Sequence, residues 1–200
     1  MALQTPTAYS RETGTAPDAS ILLCFSHLRW NFVFQRPQHL LTRAAKSNRV
    51  IYFEEPVHEA VKKPFLRATE PSAAITVLTP VLPEGTSAAD AIDLQRMLVD
   101  RALAGMTYDH LVLWYYTPMA LPFTDHIECD VCVYDCMDEL SAFRNAPREL
   151  VQMEKLLMQR ADIVFTGGQS IYEAKRRLHK SIHPFPSSID VAHFHKARKP

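Results

Sequence analysis

Short, almost unbroken apolar runs alternate along this chain with longer stretches in which apolar residues recur every three or four positions. The short runs are Ile21–Phe25, Arg49–Phe53, Ala74–Leu78, Leu111–Tyr115, Val131–Asp135 and Asp162–Thr166, with a brief last one from Ile182 to Phe185. Near-continuous apolar content over so few residues is the pattern of strands buried on both faces. The periodic stretches predict helices. Pro37 suits a first helical position ahead of Leu40, Leu41, Ala44 and Ala45, and Ser87 can cap a helix carrying Ala91, Leu94, Leu98 and Ala102. Pro147 opens another, with Leu150, Met153, Leu157 and Ala161 on one face. Ser170 and Glu173 have capping-box spacing before a basic helix ending near Leu178, whose Lys175, Arg176 and Arg177 are expected on a solvated face.

Alternation of strand and helix predicts an α/β, Rossmann-like, three-layer domain with a mostly parallel sheet. It should occupy residues 21–194, after a small, polar and disordered N-terminal tail over residues 1–20. The stretch from Pro56 to Pro83 is richer in proline and less periodic, and reads as a loop, a short strand and another loop.

Composition narrows the partners. Lys and Arg number 22 against 22 Asp and Glu, so no strong field favours nucleic acid. No apolar run is long enough to span a bilayer, and the run at Ile21 is too short for a secretory signal, so the protein is expected in the cytoplasm. The only membrane contact to expect is peripheral, through the basic helix. Cys129, Cys132 and Cys136 form C-x2-C-x3-C, but Cys132 falls inside a strand, and buried cysteine behaves as a small hydrophobe. We therefore expect no metal site. The five glycines, at 14, 85, 105, 167 and 168, form no G-x-G-x-x-G, so no nicotinamide or other cofactor is expected.

Where a dinucleotide-binding fold has a glycine-rich turn, this chain has His27, Arg29, Trp30, Asn31, Gln35 and Arg36. A loop beyond the carboxyl end of a first strand faces the ligand crevice, so these side chains are candidates for holding a polar, ring-shaped molecule. Trp30 offers a flat face for a sugar ring or lipid, or else fills the core. Arg36 offers a planar fork for phosphate or carboxylate, or else a salt bridge at a helix start. His27 can bind a hydroxyl or shuttle a proton. Asp135 and Asp138 follow a buried strand toward the same crevice, Asp138 being the better candidate for chemistry. Tyr115 and Tyr116 close the preceding strand and suit sugar binding, or else pack under the next loop. Gly167 and Gly168, before a helix, can bring backbone amides to a phosphate or simply make a tight turn.

Four blocks then resemble one family. Trp30, Gln35, Arg36, Pro37 and Leu40 match W-x4-QRP-x2-L, and Val133, Tyr134, Asp135, Asp138, Glu139, Leu140 and Phe143 match VYD-x2-DEL-x2-F. Glu154, Leu157, Ala161, Asp162, Val164 and Thr166 match E-x2-L-x4-AD-x-V-x-T, and Pro186, Ile189, Asp190 and Phe194 match a domain-closing P-x2-[VI]-D-x3-F. The chain thus resembles the N-terminal half of a GT-B glycosyltransferase, family-4-like and of the bacterial surface-polysaccharide type. The resemblance implies a sugar moved from a nucleotide-sugar donor to a glycan or lipid-linked acceptor. It also implies a second Rossmann-like domain that holds most of the donor site, with residues 195–200 starting the linker to it. No two glutamates here show that domain's E-x7-E spacing, so the 200 residues are expected to lack transfer activity alone. A different reading is a non-catalytic binding or scaffold module with a degenerate cleft, fused to another sugar-nucleotide enzyme.

Overall fold

The computed structural model of the chain describes residues 20–144 and 146–187. Residues 1–19 of the expected tail, the linker and the matches at Ile189, Asp190 and Phe194 lie outside the described residues, while Ser20, placed in the tail, begins the first strand. All seven expected strands form: β1 Ser20–Ser26, β2 Arg49–Glu54, β5 Ile75–Pro83, β6 His110–Tyr115, β7 Val131–Cys136, β8 Ile163–Thr166 and β9 Ile182–Pro184. They pair in parallel in the order β5-β2-β1-β6-β7-β8-β9. Chain order runs one way from β1 through β2 to β5, then returns to β1's other edge as β6. That reversal makes the gap between β1 and β6 a topological switch point, where ligands of such sheets bind.

Two cores follow from strand alternation. Ile21, Leu23 and Phe25 point to one face, with Ile51, Phe53, Leu113 and Tyr115. Leu22 and Cys24 point to the other, with Val50, Tyr52 and Tyr116. Each large side chain so buried contributes about 1.5–3 kcal/mol. Helices α2 (Ala88–Ala104), α3 (Leu121–Thr124), α4 (Leu150–Arg160) and α5 (Gln169–Lys175) cover the first face. Among the described residues, only α1 (Arg36–Ala44) covers the second, through Leu41 and Ala44. Farther along that face the rings of Trp114 and Phe165 stack at 5.8 Å and 27°, and Phe165 meets Phe185 at 5.5 Å. No described helix is long and apolar enough to cross a membrane.

Two expectations need correction. The Pro56–Pro83 region is not loop, short strand, loop. It contains β3 (Val57–Glu59), β4 (Phe65–Ser72) and the long β5, with β4 antiparallel to β5. The β4–β5 turn passes through Ala73 and Ala74, without the Gly or Asn that marks a hairpin, and β4 is a largely exposed edge strand with a bulge near Pro71. The second correction concerns α5. It begins after Gly168 rather than Ser170 and ends at Lys175. Lys175 is not on a solvated face: it is 6% exposed and paired with two glutamates. Ser87 does cap α2, accepting a hydrogen bond from Asp90 N at 3.1 Å.

Candidate functional site

The residues that follow β1, β6 and β7 come together at the switch point. Loop 27–35 is held in place by residues outside it. Glu54, buried at the end of β2, accepts Trp30 N at 2.8 Å through Oε1, and Arg29 Nη1 at 3.1 Å and Thr79 Oγ1 at 2.7 Å through Oε2. Gln38, buried in the first turn of α1, accepts Gln35 N at 2.9 Å and donates to Trp30 O at 2.8 Å. Tyr52 Oη donates to Leu28 O at 2.9 Å. Glu54 and Gln38 were not singled out in the sequence. The usable signal for Glu54 was a carboxylate at the carboxyl end of a buried parallel strand.

Within this frame Arg36 meets Asp135, 99 residues away. Its Nε lies 3.0 and 2.9 Å from the two carboxylate oxygens, and Nη2 lies 2.8 Å from Oδ1. Arg36 Nη1 donates to Phe185 O, and the guanidinium sits 5.0 Å above the Phe185 ring. The guanidinium is thereby engaged inside the protein, at 6% exposure, and this partner answers the conflict of a cation at a positive helix start. Burial pushes the Asp135 carboxyl above its ordinary range, and Arg36 pulls it part of the way back. Trp114 and Tyr116 also approach this carboxylate closely enough to favour its charge. Yet Trp114 Nε1 and Tyr116 Oη, like His27 Nδ1, are sealed from solvent without a hydrogen bond of good geometry. Buried polar atoms are rarely left so.

His27 directly follows β1. Burial lowers its pKa, while the Asp138 charge and the Tyr116 backbone pull it up. The imidazole is therefore neutral near pH 7 and lies within electrostatic reach of Asp138 in the loop after β7. Asp138 precedes Glu139, whose Oε2 binds Lys175 Nζ at 2.8 Å. Lys175 also reaches Glu154 Oε2 at 2.7 Å, and Glu154 Oε1 accepts Tyr134 Oη at 2.8 Å. This network, absent from the sequence reading, tethers the Asp138 loop to α4 and α5.

The structure thus gathers His27, Arg36, Tyr116, Asp135 and Asp138, and leaves the other candidates elsewhere. Trp30 packs edge-on against Tyr52 at 5.0 Å in the second core, 8% exposed, with little face free for a sugar. Tyr115 points to the opposite face, where its hydroxyl meets Thr124 Oγ1 at 2.9 Å. Arg29 lies at the outer edge on Glu54 and the carbonyls of Glu55 and Pro56. Gln35 is the cap of α1. Gly167 is required by close approach, since a side chain there would collide with the Met137 backbone, and Gly168 caps α5, a helix of seven residues. Cys24, Cys132 and Cys136 are buried and, with Cys129, free.

No protein-family model and no curated protein matches the chain. Solved structures do. One, from E. coli and described as trehalose-6-phosphate bound with UDP-2-fluoro glucose, aligns over 90% of this chain with a TM-score of 0.59 at 13% identity. The OtsA apo structure aligns over 91% at 0.58 and 12% identity. An α,α-trehalose 6-phosphate synthase from Burkholderia multivorans aligns over 92% at 0.52 and 11% identity. The chain spans 52% of the length of each. At these identities the likeness concerns the fold alone: this is a Rossmann-like α/β domain with a mostly parallel sheet, as in one half of a GT-B fold.

Proposed function

We propose that the chain is the acceptor-side domain of a glycosyltransferase that moves a sugar from a nucleotide-sugar donor to a hydroxyl on a glycan or lipid-linked acceptor. The observation that carries this reading is His27 at the switch point: a part-buried imidazole whose pKa burial lowers, with a carboxylate, Asp138, within electrostatic reach. In the transfer, the bond from the anomeric carbon to the donor diphosphate breaks and a bond to the acceptor oxygen forms. The acceptor hydroxyl must lose its proton. A neutral imidazole orients that hydroxyl and can take the proton, and the neighbouring carboxylate stabilises the resulting imidazolium. Arg36 and Asp135 act as positioning residues by fixing the start of α1 against the end of β7. Four free cysteines fit a reducing, cytosolic setting. The donor, in this reading, is held mainly by a partner domain.

Titration of the 200-residue chain, followed by the His27 imidazole NMR resonance, tests this. Hydroxyl-bearing glycosides should shift the resonance, and Asp138→Asn should weaken that response. Tight nucleotide-sugar binding by this chain, with no response to glycosides, would overturn the assignment.

A further inference from the structure

On the helix-clad face, at the same carboxyl end of the sheet, lies a chamber of about 380 Å³ that shares only Glu54 with the site side chains described above. Its size falls within the roughly 300–1,000 Å³ of small-molecule sites. Phe25, Phe53 and Phe123 form its floor, their ring centroids 5.6, 5.8 and 5.9 Å apart. Ala91 and Ile92 of α2 form one wall, and Met119 and Ala120, just after β6, form another. Ser26 and Thr117 stand where the chamber meets the ends of β1 and β6, next in sequence to His27 and Tyr116. The chamber thus reaches the same carboxyl end of the sheet as His27, one residue away from it along the chain.

The inner polar groups on its walls, those of Ser26, Thr117, Gln95 and Glu54, are engaged with neighbours. Ser26 Oγ accepts Leu28 N at 3.1 Å, and Thr117 Oγ1 accepts Met119 N at 3.2 Å. Gln95 Nε2 donates to Ala91 O at 3.0 Å. Glu54 holds Trp30, Arg29 and Thr79, as described. At the rim stands Glu55, a solvent-exposed residue. An apolar chamber whose inner polar groups are engaged asks its ligand chiefly for surface.

We propose that this chamber takes the apolar chain of an amphipathic acceptor, an alkyl, acyl or prenyl tail, with the hydroxyl-bearing head lying over His27 and Asp138. The tail supplies the affinity through buried area, and the head supplies the reacting oxygen. The inference rests on the acceptor-side reading and narrows its acceptor to an amphiphile.

The test uses three probes by calorimetry on the 200-residue chain: glucose, n-octyl β-D-glucoside below its micellar concentration, and 1-octanol. The glucoside should bind on the order of tenfold or more tighter than glucose, with the negative heat-capacity change of apolar burial. Ala91→Trp, which fills the chamber, and Ala88→Trp, which sits on the exposed first turn of α2 at its lip, should each abolish that advantage. The second variant guards against a folding defect in the first. Octanol binding that responds to both tryptophans, with glucoside binding indifferent to His27→Ala and Asp138→Asn, would support the chamber and sink the acceptor-side reading. Glucoside binding no tighter than glucose, or unchanged in both tryptophan variants, would overturn the chamber as a tail site whatever glucose does.

Discussion

Two ionic centres hang from β7 on opposite faces of the sheet. Asp135 projects to the second face and meets Arg36; both side chains are fully enclosed. Tyr134 and Cys136, its neighbours, project to the first face, where Glu154 joins Tyr134 to Lys175 and Lys175 reaches out to Glu139. The carboxylates shift in opposite directions. For Asp135 burial outweighs the guanidinium, and the pKa rises. For Glu139 burial also raises it, but the Lys175 and Ser141 hydrogen bonds outweigh that, and the pKa falls. The same chemistry, acid against base, therefore does different work on the two faces. The enclosed pair is a rivet whose desolvation makes it a weak source of net stability but a severe loss if halved. The half-open one is a tether whose charges keep their water on one side.

Breaking the rivet should have the largest effect. Asp135→Ala leaves Arg36 enclosed without its counter-charge and should cost about 3–5 kcal/mol in urea unfolding. Adding Arg36→Met should recover much of that loss. If the double variant is no better than the single, the pair is not acting as a unit. Lys175→Met should cost less, about 1–2 kcal/mol, because Glu139 remains partly hydrated and only the Glu154 side is desolvated. The same denaturation series checks the ordering, and a larger loss at Lys175 than at Asp135 would reverse the comparison. The smallest effect concerns pH. The folded His27 pKa lies below the unfolded 6.5, so the unfolded chain takes its proton first. Stability is complete above that pH and is lost as pH falls toward the folded value. Denaturation midpoints measured between pH 7 and pH 5 should fall on acidification, and less so in His27→Asn.

Much of this arrangement was legible in the sequence because it depends on local pattern. Unbroken apolar runs located all seven strands of the parallel array, and strand ends placed His27, Asp135 and Asp138 at the sheet's carboxyl edge. Pairings across the chain were not legible. Nothing near Arg36 says that its partner lies 99 residues on, and nothing in Lys175-Arg176-Arg177 distinguishes the enclosed lysine from two exposed arginines. Trp30 and Tyr115 stayed open between crevice and core for the same reason: an aromatic at a strand or loop end can turn either way, and tertiary packing decides. The edge strand β4 escaped notice because an exposed strand needs no apolar alternation, and its turn carried no glycine.

The uneven cladding of the sheet has an optical consequence. The chain has two tryptophans, and both lie on the face that α1 covers in part, Trp30 against Tyr52 and Trp114 against Phe165. Intrinsic emission excited at the red edge of the indole band therefore reports on that layer alone. Events confined to the chamber between α2 and the Phe25–Phe53–Phe123 floor would pass without a change of colour, while any movement of loop 27–35 or of the Trp114 ring would register at once.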